Sequence, residues 1–156
     1  MPTILLDVEE DRSLDVLSHV ESLQLQYDAL LKSLSLRPAT QHWVGSLFAR
    51  GLKLADEIEA RFGLLHGKHI LEIGSAYAAD LLALHARGAD CVATDMYDFG
   101  YADFRRNLPA LGRFDIVRCD ATKRWPFADG SFDMIMALEL VEFFEDLDAF
   151  FAELAR

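Results

Sequence analysis

His69-Ile70-Leu71-Glu72-Ile73-Gly74-Ser75-Ala76-Tyr77-Ala78 is the stretch on which the reading of the chain turns. A short apolar run carries an acid, reaches a glycine, passes through small residues and opens into a helical pattern from Ala79 to Arg87. That order predicts a parallel strand, a tight turn and a helix whose N-terminus faces a ligand pocket.

Three further apolar runs follow downstream. Asp90-Cys91-Val92-Ala93-Thr94-Asp95 and Phe114-Asp115-Ile116-Val117-Arg118-Cys119-Asp120 each read as a strand ending in an acid, and Phe132–Ala137 reads as a fourth. Between them the pattern predicts a helix over 99–111, centred on Phe104 and Leu108 with a kink at Pro109, and a turn at Ala128–Ser131. A last helix is expected from Val141 to Arg156, with Phe143, Leu147, Phe150, Phe151 and Leu154 inward. Strands alternating with helices imply right-handed crossovers. The expected fold is therefore α/β, a Rossmann-like doubly wound sheet of at least four parallel strands. In such sheets ligands lie beyond the carboxyl ends of the strands, which gathers Glu72–Gly74, Asp95, Asp120 and Ala137–Leu138 on one edge.

Upstream the regime is helical. Leu14, Leu17, Val20 or Leu23, Tyr27, Leu30, Leu31 and Leu34 fall near helical spacing, with Asp11 or Ser13 as N-cap, and Arg37-Pro38 ends the run. A second helix is expected from a Thr40 cap through Trp43, Leu47 and Phe48, interrupted at Gly51, then on through Leu52, Ala55, Ile58 and Phe62 to a stop at Gly63. Residues 1–62 are read as a helical N-terminal cover and residues 63–156 as the ligand-binding domain.

Composition narrows the function classes. The 156 residues are 52% hydrophobic and carry a formal net charge of −11, enough chain for one well-buried core. That acidity argues against nucleic acid and anionic membrane as partners, since both need a basic face. Cys91 and Cys119 lie in apolar runs without metal-ligand spacing and read as buried, reduced thiols. No basic, apolar signal opens the chain and no apolar run approaches the ~20 residues of a membrane span, so a cytoplasmic location is expected.

From about Leu64 to Arg156 the chain resembles a class I S-adenosylmethionine-dependent methyltransferase of the type acting on small molecules. His69–Gly74 looks like the family's first motif, Val92–Asp95 its second and Cys119-Asp120-Ala121 its third. Trp125-Pro126-Phe127-Ala128-Asp129-Gly130-Ser131-Phe132-Asp133 looks like its proline-phenylalanine turn into strand four, and Glu139-Leu140-Val141-Glu142 like the acidic segment that follows. The resemblance implies S-adenosylmethionine as cofactor and methyl transfer to a small molecule. It implies that Glu72 meets the donor's ammonium or organises the loop beside it, with Gly74, Ser75 and Ala76 forming that loop. Asp95 would take the ribose hydroxyls, Met96 the adenine face, and Asp120 and Ala121 the adenine edge, with Ala137 also at the site. The donor methyl is already activated, so no catalytic side chain is demanded and none is named.

The chain departs from the family pattern in two places. Where the family has glycine at alternate loop positions, this chain has Gly74, Ala76 and Ala78, and alanine is expected to fit only if the backbone there is ordinary. The family continues with three further strands, so strand four is expected to be an edge covered by a missing C-terminal segment or by a second copy. These departures keep open a non-catalytic methyltransferase-like binding or assembly module. A nicotinamide-dependent oxidoreductase is a further alternative, weakened because residues 74–79 lack the glycines that cradle a pyrophosphate. Glu72 otherwise reads as a structural acid pairing with Lys68 or a loop N–H. Glu139 and Glu142 read as a solvated helix start, and Tyr27, His42 and Trp43 as packing residues with a substrate lid as the other reading.

Overall fold

The computed structural model describes residues 7–99 and 114–156, with side chains from Val16 onward. Helices α1 (Asp7–Ser33) and α2 (Pro38–Phe62) precede β1 (His69–Ile73), α3 (Ala79–His85), β2 (Asp90–Asp95), β3 (Phe114–Arg118) and β4 (Met134–Met136). A 3-10 turn (Val141–Phe143) and α4 (Leu147–Leu154) follow. The strands form one parallel sheet in the order β3-β2-β1-β4, with Ile73 opposite Thr94, Asp95 opposite Arg118 and Glu72 opposite Met136. All four carboxyl ends therefore lie on one edge, as a doubly wound sheet requires.

The sheet separates two apolar layers. On one face Ile70, Cys91, Ala93, Phe114 and Met136 pack beneath α1, α2 and α3. On the other, Leu71 and Ile73 pack with Cys119, Trp125 and Phe150. Alternation along β1 places Glu72 on the same side as Ile70, under the N-terminal helices, which is why an acid there is buried.

Several boundaries differ from the sequence expectation, each for a local reason. Helix α1 begins by Asp7, ahead of the expected Asp11 or Ser13 cap. Helix α2 starts at Pro38 after an extended Arg37, because proline's fixed φ suits the first helical turn; Thr40 lies inside the helix and caps nothing. Gly63, at φ 85, ends it. Strands β3 and β4 are shorter than expected, ending at Arg118 and Met136. The expected helix from Val141 to Arg156 is broken: Phe144 is extended, and α4 restarts at Asp146, whose carboxylate caps it by accepting from the Ala149 N–H at 3.0 Å. As a result Phe150 is buried, whereas Phe143, Leu147 and Phe151 are exposed. The helix expected over 99–111 and residues 1–6 lie outside the described residues.

Gly51 does not interrupt α2; it lets α2 and α3 touch. A Cβ built there would stand 2.6 Å from the Asp80 carbonyl oxygen and 2.7 Å from the Ala83 Cβ. Two polar clamps fix the rest. Asp133 pins β4 to β1, its N–H donating to the His69 carbonyl at 2.9 Å and its carboxylate accepting from the His69 N–H at 2.8 Å. The Arg156 guanidinium donates to the Trp125 and Phe127 carbonyls at 2.7 and 2.6 Å, which folds the turn into β4 back against α4.

The Gly51 contact carries a prediction. Alanine normally strengthens a helix interior by about 1 kcal/mol over glycine, but overpacking a close contact costs about 1–3 kcal/mol. Gly51→Ala is expected to destabilise the protein in urea unfolding, whereas Gly45→Ala, where an added Cβ meets nothing within 4 Å, is not.

Candidate functional site

The carboxyl edge is built by β2 holding the loop that leaves β1. Thr94 Oγ1 donates to the Glu72 carbonyl at 2.8 Å, and the Thr94 carbonyl accepts from both the N–H (2.8 Å) and the Oγ (3.1 Å) of Ser75. Asp95 then reaches across: one carboxylate oxygen accepts from the Ala76 N–H at 3.0 Å, and the other from the Tyr97 N–H at 3.0 Å. A carboxylate has about four lone-pair sites, so these bonds leave Asp95 capacity for further donors. From the opposite side, Tyr27 of α1 donates its hydroxyl to the Tyr77 carbonyl at 3.0 Å. Burial, first, and nearby Asp80 hold the Tyr27 hydroxyl protonated, raising its pKa far above the usual tyrosine value.

This strapping answers the question of the alanines. The expectation that they need ordinary backbone is corrected: Ala76 has φ 45 and Ala78 φ 55, both left-handed. Such a conformation costs an L-residue roughly 1–2 kcal/mol. The loop keeps a glycine-like path, and hydrogen bonds from Thr94, Asp95 and Tyr27 oppose the strain. Gly74 remains glycine for two reasons. Its φ is 72, and a Cβ would stand 2.7 Å from Leu140 Cδ1.

Beneath the loop lies a buried carboxyl group. Glu72 is 3% exposed and its Oε2 has no hydrogen-bond partner among the described residues. Lys68, its expected partner, instead approaches Asp133 at 3.9 Å. Desolvation first, with the charges of Asp80 and Asp95 and against the opposing pull of Arg50, pushes the Glu72 carboxyl up to about 8. Asp80, at the start of α3, is 4% exposed and is held by Arg50 through two bonds of 2.9 and 2.8 Å. The third Arg50 nitrogen donates to Glu139 at 2.7 Å. Glu139, expected as a solvated helix start, is neither helical nor free: it has φ 52 and binds the N-terminal helices to the loop after β4.

The remaining predicted residues lie along the same edge at lesser depth. Met96 is 45% exposed, and its carbonyl accepts from Arg118. Asp120 follows β3, where it accepts from the N–H and hydroxyl of Thr122 at 3.0 and 2.7 Å; these bonds lower its carboxyl pKa. Ala121 accepts from the Trp125 indole at 3.2 Å, and Ala137 packs with the second apolar layer. A cleft of about 470 Å³ opens between Ala121–Arg124 and the Phe143–Phe150 segment. Of the predicted residues only Ala121 lines it; Glu72, Gly74 and Asp95 do not. His42 and Trp43 are both exposed on α2. The residues the sequence reading missed are Arg50 and Asp80. A lone Arg in a helix and an Asp in the first turn of the next give no pattern; the signal is a buried acid that demands a counter-charge.

The raised Glu72 carboxyl has a stability consequence. The native state binds a proton that the unfolded chain releases near the ordinary glutamate pKa, so stability falls as pH rises from about 4.5 toward 8. Glu72→Gln removes this contribution. The stability difference between wild type and variant, measured by urea unfolding, should shift against wild type by up to about 1.4 kcal/mol per pH unit between pH 5 and 8. A difference independent of pH would contradict the burial assigned to Glu72.

Comparisons with known proteins fit this geometry. A solved structure from Methanococcus maripaludis, provisionally described as an S-adenosyl-L-methionine-dependent methyltransferase, matches with a TM-score of 0.60 and 28% identity over 70% of this chain and 52% of that one. The YcgJ protein of Bacillus subtilis matches at 0.57 and 21% identity, over 69% of this chain and 45% of that one. A SAM-dependent methyltransferase from Aquifex aeolicus matches at 0.55 and 20%, over 70% and 65% respectively. The chain thus spans about half to two thirds of these structures; the latter two likenesses show the fold alone. No match is found among curated proteins. The sequence model described as a methyltransferase domain matches residues 71–156, from within β1 through the strapped loop to the end of α4, and the chain belongs to that methyltransferase family.

Proposed function

We propose that this chain binds S-adenosylmethionine along the carboxyl edge of its sheet and takes part in methyl transfer to a small molecule. The observation that carries the reading is Glu72: a buried carboxyl with an oxygen that has no partner among the described residues, near the end of the strand that feeds a left-handed loop. A buried polar atom without a partner is costly, and a ligand cation supplies one. The donor supplies a methyl group already activated on a sulfonium, so the protein's work is alignment.

In this reading Glu72 receives the ammonium, and the backbone of Gly74, Ser75 and Ala76 runs beside the methionyl chain. Asp95 uses its remaining lone pairs for the ribose hydroxyls. Met96 covers the adenine face, Asp120 and Ala121 meet its edge, and Ala137 walls the site from β4. Residues 1–62 serve as a cover over residues 63–156, with Tyr27 and Arg50 as its contacts to the loop and to α3. Two free, buried thiols suit a reducing cytoplasmic compartment. The acidic balance favours a small acceptor over nucleic acid. The strand order leaves β4 at the end of the sheet, a position suited to a further strand or a second copy.

A second reading, a methyltransferase-like binding module without catalysis, is favoured by one observation: the loop carries alanines at two left-handed positions. Binding and turnover separate the two. Calorimetric titration of the folded chain with S-adenosylmethionine should show binding that strengthens about tenfold per pH unit between pH 6 and 7.5, with proton release, as Glu72 ionises to meet the ammonium. Glu72→Gln should bind more weakly and lose that dependence. Absence of binding at millimolar ligand would overturn the donor site and leave the non-catalytic binding or assembly role standing.

A further inference from the structure

We propose that Arg50 and Glu139 form a latch that holds Leu140 over Gly74 and so governs entry of the methyl donor, an inference that rests on the donor site proposed above. Three observations from separate elements meet here. Arg50, on α2, spends its Nε and one terminal nitrogen on buried Asp80 and extends the other 2.7 Å to Glu139. Glu139 stands in a left-handed conformation, φ 52, which a non-glycine residue holds only when its surroundings impose it. The next residue, Leu140, lays its isobutyl group on the open face of Gly74, where an added Cβ would meet its Cδ1, Cδ2 and Cγ at 2.7, 3.0 and 3.3 Å.

The clamp is unequal. The Asp80 side chain is 5% exposed and the Glu139 side chain 64%. The Asp80 half is bidentate onto a buried carboxylate and fixes Arg50 in place. The Glu139 half is bathed in solvent and screened by salt, so it opens first, without disturbing α2 or α3. Once it opens, Glu139 is free to relax to ordinary backbone and Leu140 to leave Gly74. The face of the glycine along which the methionyl chain lies then becomes accessible. Arg50 and Glu139 act here as positioning residues: they work through Leu140 and touch no reacting atom.

Association of S-adenosylhomocysteine with the immobilised chain tests the latch. This ligand has no net charge at neutral pH, so long-range steering does not confound salt effects. Glu139→Gln and Leu140→Ala are each expected to raise the association rate constant by about two- to fivefold, the factor set by an exposed ion pair. The double variant should be no faster than Leu140→Ala alone, because the latch acts through that side chain. Raising salt should speed wild type and leave Glu139→Gln unchanged. Hydrogen exchange at the amides of residues 139–144, measured without ligand, should rise in Glu139→Gln, which reads the latch independently of any donor. Unchanged exchange there, additive rate effects, or slower association in Glu139→Gln overturns the latch while leaving the donor site standing. Failure of all four proteins to bind overturns the donor site and the latch with it.

Discussion

The last two residues of β2 hold the site together. Thr94 closes three hydrogen bonds with Glu72 and Ser75, and Asp95 accepts from Ala76 and Tyr97, so one strand end fixes the loop that leaves its neighbour. Each bond adds only about 0.5–1.5 kcal/mol to stability, and more where the acceptor is charged. Together they match the cost of two alanines in left-handed conformation. Glu72 lies below this loop, its Oε2 without a hydrogen-bond partner among the described residues. Backbone strain and a buried carboxyl oxygen with no partner among the described residues, a few residues apart, are the observations on which the proposed donor site rests.

A second constraint comes from the N-terminal helices. Gly51 brings α2 within backbone contact of α3, and that closeness lets Arg50 reach Asp80. Without that guanidinium, Asp80 would be a buried unpaired acid beside Glu72 and Asp95, and breaking such a pair costs several kcal/mol. The helical segment is thus coupled to the loop both by apolar packing and by charge. The layer that includes Tyr27, Phe48 and Ala55 is continuous with Ile70 and Ala93 of the sheet. Glu72, the buried acid proposed to meet the donor's ammonium, lies beneath these helices.

Much of the fold was legible in the sequence because period and punctuation agreed. The strand at His69–Ile73 and the one at Asp90–Asp95 fall where the apolar runs placed them, and the glycine at 63 stops α2 as read. The short edges were not: β4 holds three residues, since Asp133 spends its backbone and side chain on His69 before the ladder proper begins. The break at Phe144 was hidden because Phe143, Phe150 and Phe151 mimic a helical face that the chain does not bury as one. At the site, the acids at strand ends could be read from position alone. Arg50 could not, because its partners Asp80 and Glu139 lie 30 and 89 residues away and only tertiary packing joins them. The left-handed alanines were equally hidden, since their conformation is imposed by β2 rather than favoured by their own sequence.

One edge of the sheet, centred on the strapped loop, is proposed to take up the methyl donor. Backbone amide shifts followed by NMR during titration with S-adenosylhomocysteine test it most directly. Saturable shifts are expected at Glu72–Ala78, Asp95–Tyr97, Asp120–Thr122 and Ala137–Leu140, with the far end of α2 near Glu57–Gly63 unmoved. Shifts confined to the cleft between Lys123 and Phe150, or none at millimolar ligand, would contradict it.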